Sequence, residues 1–553
     1  MTVAQQYQSW INCPAMNEEL LQLLRDMDED TMHDSFYRNL AFGTGGLRGV
    51  LGAGTNRMNL FTIHKATRGL AEYLLNTFKS PSCAVSYDSR IHSRDFAELA
   101  SATLAESGVL VRLYPSLEPT PMLSFAVRHL SASAGVMITA SHNPSQYNGY
   151  KVYGSDGCQI TLSAAKEIQS YIDRQEDLTD SLPSFDEHLR NGMIEYICED
   201  TIEAYYQAVW KLRIRPCDQP VRLVYSPLNG TGNIPVREIM RRMGNIDVTV
   251  VAEQEMPDGR FPTCPYPNPE IREAMDLAIQ KTLETGADLC FATDPDCDRM
   301  GAGVRIGDTV RLISGNDMGI LMLDYICRNM KNRSPLPPVV VKTIVSTDMA
   351  AAICNKFGIE LRNVLTGFKY IGEQIGLLES QSQADRFLFG FEESYGYLSG
   401  TDVRDKDAVN AALLLCDMAS DLKAQGKNLL DRLDELRLEF GLYVQKLLTY
   451  QYEGELGSNR MQEIMTALRK PLHEMREPLF RNSVRKDYLN DDTGLPRSDV
   501  IEFTFSDTER IVIRPSGTEP KLKAYLFTRA ESEPEAQSKL DHLQALTDAV
   551  CSP

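Results

Sequence analysis

Short apolar runs alternating with helix-compatible stretches recur three times along the chain, and this alternation constrains the fold more than any other feature. The first set comprises Ser82–Tyr87, a helix from Ser93, Val109–Tyr114, Ala134–Thr139 and a polar helix around Ala164–Arg174. The second comprises Val221–Tyr225, followed by Gly230, then Val248–Ala252 and Asp288–Thr293, and the third comprises Val339–Val345, Glu360–Leu365 and Phe387–Phe391. Strands alternating with helices form sheets covered by helices, so three α/β units in series are predicted. The tail breaks the pattern. It has a charged helix with heptad-like leucines over Leu429–Phe440, a long polar region, strands at Val500–Phe505, Arg510–Arg514 and Leu522–Phe527, and a final helix from Glu533. It reads as a smaller α+β domain. A helical lead-in over Asn17–Asn39 precedes the glycine cluster at Gly43, and turn-rich connectors lie at Arg215–Pro220 and Asn332–Pro338.

Charge narrows the range of partners. Lys plus Arg total 57 against 76 for Asp plus Glu, a formal charge of −19 that disfavours nucleic acid and an anionic membrane surface. A small phosphorylated metabolite stays in play, because a basic pocket acts within a Debye length. The 12 cysteines form no CxxC pair and no close Cys/His framework, so they read as reduced thiols rather than zinc ligands. There is no basic start followed by an apolar core, and no run reaches the roughly 18 apolar residues of a membrane span, so a cytoplasmic protein is expected.

Four loops could carry chemistry, and each taken alone also reads as an ordinary turn. In Phe42-Gly43-Thr44-Gly45-Gly46-Leu47-Arg48-Gly49 the glycines allow close backbone approach, and Arg48 offers a guanidinium suited to phosphate. The wording fits neither G-x-G-x-x-G nor the G-x-x-x-x-G-K-S/T phosphate loop. Thr139-Ala140-Ser141-His142-Asn143-Pro144 ends an apolar run and precedes Lys151, which makes Ser141 a candidate nucleophile or phosphate acceptor with His142 and Lys151 as acid/base partners. No G-x-S-x-G elbow surrounds it, which disfavours a serine esterase. In Asp294-Pro295-Asp296-Cys297-Asp298-Arg299 three carboxylates at alternate positions repel one another unless a cation neutralises them, and hard oxygen ligands with open positions favour Mg²⁺. Arg299 and Arg305 stand where a calcium loop needs Gly and Glu, so an EF-hand fails. The last pair is Gly390-Phe391-Glu392-Glu393-Ser394-Tyr395-Gly396, with acceptors and a donor for sugar hydroxyls, and Arg514-Pro515-Ser516-Gly517-Thr518-Glu519-Pro520-Lys521, rich in phosphate-directed donors.

Together and in this order, these loops resemble the α-D-phosphohexomutase superfamily over nearly the whole chain. The segments resemble its phosphoserine loop, metal loop, sugar-binding loop and phosphate-binding loop. The resemblance implies three related α/β domains and a C-terminal TATA-binding-protein-like domain around a central cleft, here 1–213 with the helical lead-in, 214–318, 319–435 and 436–553. It implies Ser141 as the phosphorylated nucleophile and a ligand, with Asp294, Asp296 and Asp298, of Mg²⁺. Lys151 and His142 are implied as acid/base candidates, and Arg48 and Arg299 as steadying the transferring phosphoryl. Gly367, Lys369, Glu392, Ser394, Lys406, Arg514, Ser516, Gly517 and Thr518 are implied as contacts to substrate. Glu-Glu-Ser in the sugar loop is similar to the glucose-specific branch, which implies interconversion of glucose 1-phosphate and glucose 6-phosphate through glucose 1,6-bisphosphate. The lead-in and the Gly-Phe-Glu-Glu-Ser wording resemble the long branch that also contains phosphopentomutases, and a phosphomannomutase is a further family alternative. The oligomeric state expected is monomer or homodimer. Two rival readings are an aspartyl-phosphate phosphatase with Asp294 as nucleophile and Asp296 as acid/base, and a sugar-phosphate sensor without turnover; Asp298 stands where the phosphatase pattern has Thr or Val.

Overall fold

The apolar runs become strands because they are buried on both faces: all five residues of Ala134–Ile138, Leu289–Thr293 and Val339–Thr343 are buried. In the computed structural model, residues 2–552 are described except 44, 331–334, 453, 476–477 and 517–520. The first sheet has six strands in the order Gly46–Val50, Tyr147–Gly154, Ala134–Ile138, Ser82–Tyr87, Leu110–Leu113 and Ile194–Tyr196. The second runs Thr309–Ile313, Met300–Ile306, Leu289–Thr293, Val221–Ser226, Ile246–Val250. The third runs Glu360–Val364, Val339–Thr343, Phe387–Glu392, Gly396–Ser399. In each, parallel strands at the centre are joined by an antiparallel partner, Tyr147–Gly154, Met300–Ile306 or Gly396–Ser399, that returns the chain directly from a strand end. The candidate serine loop, acidic loop and Glu392–Ser394 loop sit at those returns. The fourth sheet, Leu442–Gln451, Lys521–Ala530, Glu509–Pro515, Ile501–Ser506, Val484–Asp487, is antiparallel throughout and carries the helix Glu533–Cys551. The fold is three α/β units followed by a smaller α+β unit.

One apolar core runs through the first three units, and the helix Ala408–Ala424 lies inside it with every residue from Ala408 to Leu422 buried. Asp407 caps that helix, accepting from Asn410 N at 2.9 Å and from Tyr205 OH at 3.0 Å. Arg213, at the end of the first unit, reaches Asp417 on the same helix at 2.8 Å. The C-terminal unit has its own core around Phe480, Phe503 and Leu526.

Several elements differ from expectation. The lead-in is two helices, Glu18–Arg25 and Glu29–Phe36, because Asn17 and Asp28 each cap a separate start, and a further helix covers Val3–Ile11. The strand expected at Val248–Ala252 lies at Ile246–Val250, and Ala252 opens a short helix. The helix Leu429–Phe440, assigned to the tail, packs Leu429, Leu430, Leu433 and Leu436 into the core of the first three units. Two expected boundaries, after 318 and after 435, fall inside the helices Gly315–Asn329 and Leu429–Phe440.

Gly149, in the return strand of the first unit, pairs with Arg48 across the sheet. A Cβ there would overlap the carbonyl oxygen of Thr139 and lie 2.9 Å from that of Leu47. Backbone atoms cannot swing aside, so Gly149→Ala is expected to cost about 1–3 kcal/mol. Thermal melts of the two proteins check this, and an unchanged melt would mean that the strand has slack.

Candidate active site

The strand Ala134–Ile138 ends in Thr139-Ala140-Ser141. Thr139 Oγ1 accepts from Ser141 N at 2.8 Å and donates to Asp88 Oδ2 at 2.6 Å, which ties the turn to the neighbouring strand end. Ser141 is left-handed, with φ 53°, a conformation that costs a non-glycine residue about 1–3 kcal/mol. The turn aims its side chain across to the second unit. Ser141 Oγ donates to Asp294 Oδ2 at 2.8 Å and lies 3.2 Å from His142 Nδ1.

The strand Leu289–Thr293 delivers the acidic loop. Asp294, Asp296 and Asp298 are buried, and each offers a carboxylate oxygen within 4.8 Å of the others. Asp294 Oδ1 accepts from Asp298 N at 3.1 Å and from Arg299 N at 2.9 Å, and Cys297 is left-handed at φ 52°, so the loop curls and its carboxylates converge. Cys297 itself is buried, and burial holds its thiol well above its usual range; its carbonyl accepts from Ala408 N at 3.3 Å. Its place is a turn position set against the central helix. Asp296 Oδ1 and Asp298 Oδ1 are buried and accept no hydrogen bond. Buried acceptors left with open lone pairs inside a carboxylate cluster fit a hard divalent cation. Burial, and then Asp296, hold Asp294 well above the usual carboxylate range. Asp296 is held low, because Lys151 and Lys406 outweigh its burial.

Two lysines from other units meet this cluster. Lys151, on the return strand of the first unit, stands 2.7 Å from Asp296 Oδ2 and 3.7 Å from Asp298 Oδ2; burial opposes its charge, but the two carboxylates hold its pKa above the usual value. Lys406, beyond the third sheet, lies 3.1 Å from Asp298 Oδ2. Arg48 donates to Asn143 Oδ1 at 3.1 Å, beside the serine loop. Burial, with Arg299 and Arg48, keeps the His142 imidazole neutral well below its usual pKa.

The remaining loops close the circle from the third and fourth units. Arg299 bonds Glu270 Oε1 at 2.5 Å and Ser394 O at 3.1 Å, and Met300 N donates to Tyr395 O at 3.1 Å, so the acidic loop and the sugar-loop segment are stitched together. Glu392 is buried at the end of its strand. Glu393 accepts from Thr343 Oγ1 at 3.1 Å, and burial together with Glu392 pushes it up to about 7. Gly367, at φ 120°, turns the chain into the helix Lys369–Ser380. Burial lowers the pKa of Lys369, at the first position of that helix. Arg514 stands opposite Lys523 in the fourth sheet, and Arg514 Nε is buried without a hydrogen bond. Ser516 N donates to Lys521 O at 2.7 Å. Gly517 and Thr518 lie outside the described residues.

Comparison with known proteins gives this arrangement a context. Residues 39–179, 203–307 and 314–438 match the families described as phosphoglucomutase/phosphomannomutase, alpha/beta/alpha domains I, II and III. The chain belongs to the phosphoglucomutase/phosphomannomutase family. A relative named phosphoglucomutase from Staphylococcus epidermidis is 35% identical over 532 residues, 94% of this chain and 96% of that one. Another so named, from Staphylococcus aureus, is 33% identical over 539 residues, 95% of this chain and 96% of the other. Among solved structures, the fold matches a putative phosphomannomutase from Thermus thermophilus with TM-score 0.67 and 23% identity, covering 92% of this chain and 99% of that chain. It also matches Paramecium pp63/parafusin, a phosphoglucomutase in its open form, with TM-score 0.70 and 16% identity over 93% and 95% of the two chains.

In this family member the structure brings Ser141, His142, Lys151, Arg299, Lys406 and the three aspartates into one cluster, with the serine and the aspartates buried and the other four partly so. Sequence reading missed three residues within it. Thr120 binds Asp296 twice, through Oγ1 to Oδ2 at 2.9 Å and through its backbone N to the carbonyl at 3.0 Å. Glu270 anchors Arg299. Arg90 grips the serine loop from behind. Only the strand-end position of Asp88-Ser89-Arg90 carried a signal for any of them.

Glu118 stands two residues before Thr120 and is buried; burial pushes its carboxyl up to about 8, against a hydrogen bond from Ser116. An unfolded glutamate releases its proton near 4.5, so between those values the native state keeps a proton that the unfolded chain loses. The stability this group contributes is present below the unfolded value and falls as pH rises towards 8. Glu118→Gln is therefore expected to raise the melting temperature relative to the parent at about pH 8.5 and to change it little near pH 4.5. Equal shifts at both pH values would show that the carboxyl titrates normally.

Proposed function

We propose that the chain acts as a phosphoglucomutase, interconverting α-D-glucose 1-phosphate and glucose 6-phosphate through phosphorylated Ser141 and glucose 1,6-bisphosphate. The observation carrying this reading is the approach of Ser141 Oγ to within 2.8 Å of the buried three-aspartate cluster, in a chain one third identical to proteins named phosphoglucomutase. Asp294, Asp296, Asp298 and phosphorylated Ser141 would hold Mg²⁺. Bound there, the cation supplies positive charge to the phosphoryl oxygens.

In the forward direction the phosphoryl leaves Ser141 for the C6 hydroxyl of glucose 1-phosphate: the P–Oγ bond breaks and the O6–P bond forms. The net proton movement is from the sugar hydroxyl to Oγ. Lys151, held charged by Asp296 and Asp298, and neutral His142, 3.2 Å from Oγ, are the two groups set to relay it. Arg48 and Arg299 steady the phosphoryl in flight. The bisphosphate then turns over, its other phosphate is handed to Ser141, and glucose 6-phosphate departs. Gly367, Lys369, Glu392, Ser394 and Lys406 would hold the sugar in either orientation, with Arg514, Ser516, Gly517 and Thr518 on the distal phosphate. For the cluster we propose four units along the expected division, with the boundaries expected after 318 and 435 moved to before Gly315 and after Phe440 so that neither helix is split.

The aspartyl-phosphate alternative is disfavoured because Asp294 is engaged on both oxygens, by two backbone amides and by Ser141. The test is conversion of glucose 1-phosphate with Mg²⁺ and a trace of glucose 1,6-bisphosphate, beside ribose 1-phosphate and mannose 1-phosphate. Glucose phosphate is expected to turn over fastest. Faster pentose or mannose turnover would reassign the substrate, and release of free phosphate without isomer would overturn the mutase reading.

A further inference from the structure

Arg90 is 3% exposed and spends its guanidinium on the backbone of a single loop. Nη1 donates to Pro144 O and Tyr147 O, each at 2.9 Å; Nη2 donates to Ser141 O at 2.5 Å and also to Asn143 O. Four carbonyls pointing inward at one spot repel one another, and a planar, permanently charged fork is the side chain that can collect them. The fork is itself fixed. Asp88 Oδ2 lies 3.3 Å from Arg90 Nε, and Asp88 is held in turn by Thr139 Oγ1 at 2.6 Å and Ser93 Oγ at 2.7 Å. On the far side the ring of Phe261, from the second unit, sits 5.1 Å from the guanidinium carbon. Gly259 packs so closely on Ser89, Arg90 and Ile91 that no Cβ fits between them.

The unit that supplies the aspartates therefore also caps the arginine that shapes the serine loop. From this geometry we infer that Arg90, backed by Phe261, is a positioning residue: it holds Ser141 in its left-handed turn and sets the register of its Oγ against Asp294. Arg90 reaches Ser141 only through the backbone, so its loss alters where the phosphoryl sits rather than how the sugar is bound. The inference rests on Ser141 being the phosphoryl carrier.

The experiment is a single-turnover transfer of radiolabelled phosphate from glucose 1,6-bisphosphate to dephosphorylated full-length protein, with steady-state kcat and KM measured alongside. The rate constant of label transfer does not depend on how much of the sample is folded, whereas its amplitude does. Arg90→Lys is expected to slow transfer and kcat by about 10²-fold with KM little changed, since an ammonium cannot span four carbonyls in a plane. Phe261→Leu is expected to slow transfer by about fivefold. Failure of the parent protein to take acid-stable label would overturn the carrier assignment and this inference with it. Normal labelling of the parent together with a parental rate constant in Arg90→Lys would overturn this inference alone. Should Arg90→Lys not fold, Phe261→Leu decides the matter, and a parental rate constant there would overturn it.

Discussion

Ser141→Ala is expected to lower turnover of glucose 1-phosphate by at least about 10⁴-fold while leaving the affinity for sugar phosphate within a few-fold. The carrier oxygen disappears, and nothing beside it can take its place. Asp294 stays tied through Oδ1 to two backbone amides, and Lys151 is held charged by Asp296 and Asp298. The fold should tolerate the change. Alanine meets the same left-handed backbone as serine, and the lost hydrogen bond to Asp294 costs about 1 kcal/mol. Calorimetric titration with glucose 1-phosphate and a phosphate-labelling assay separate the two halves of this expectation. An alanine variant that still isomerises, or still takes label, would place the carrier elsewhere.

The second large effect is expected of Asp296→Asn. Asparagine keeps an acceptor for Thr120 and Lys151 but removes a charge from the cluster. A divalent cation bound by two carboxylates instead of three loses several kcal/mol of charge stabilisation, which corresponds to a rate loss of about 10²- to 10³-fold. The rise in melting temperature on adding Mg²⁺ to the parent should shrink in the variant, because binding to the native state alone stabilises it by mass action. Measuring melts with and without Mg²⁺ reads this independently of turnover. An unchanged metal response would mean that the cation sits elsewhere.

What could be read from the sequence, and what could not, follows a physical line. Strands buried on both faces, such as Ser82–Tyr87 and Val339–Thr343, are continuous apolar runs and stand out. The return strand Tyr147–Gly154 did not: it packs Tyr150, Val152 and Tyr153 into the core, but Asn148, Gly149 and Lys151 interrupt its apolar pattern because it also borders the site. Met300–Ile306, with two glycines, and the half-exposed Leu442–Gln451 were hidden for the same kind of reason. Ser141 and the three aspartates, which the fold brings together, could be named as candidates because the proposed chemistry needs those residue types. Arg90 and Thr120 could not. One acts through backbone carbonyls and the other through a single hydroxyl, and both belong to segments that meet the reacting groups only after folding. The reverse error, placing Leu429–Phe440 with the tail, came from its leucine spacing, which shows that a helix buries one face but not against what.

The helix Ala408–Ala424 has a consequence for how the protein is made. During synthesis the strands of the first two sheets leave the ribosome long before this helix does, yet the apolar surface they share with the third sheet is filled by it. Until residues 408–424 emerge, the nascent chain carries that surface open to water, and such surface draws in other chains and chaperones. Fragments that stop short of the helix should therefore be sticky rather than modular, however complete their sheets look on paper.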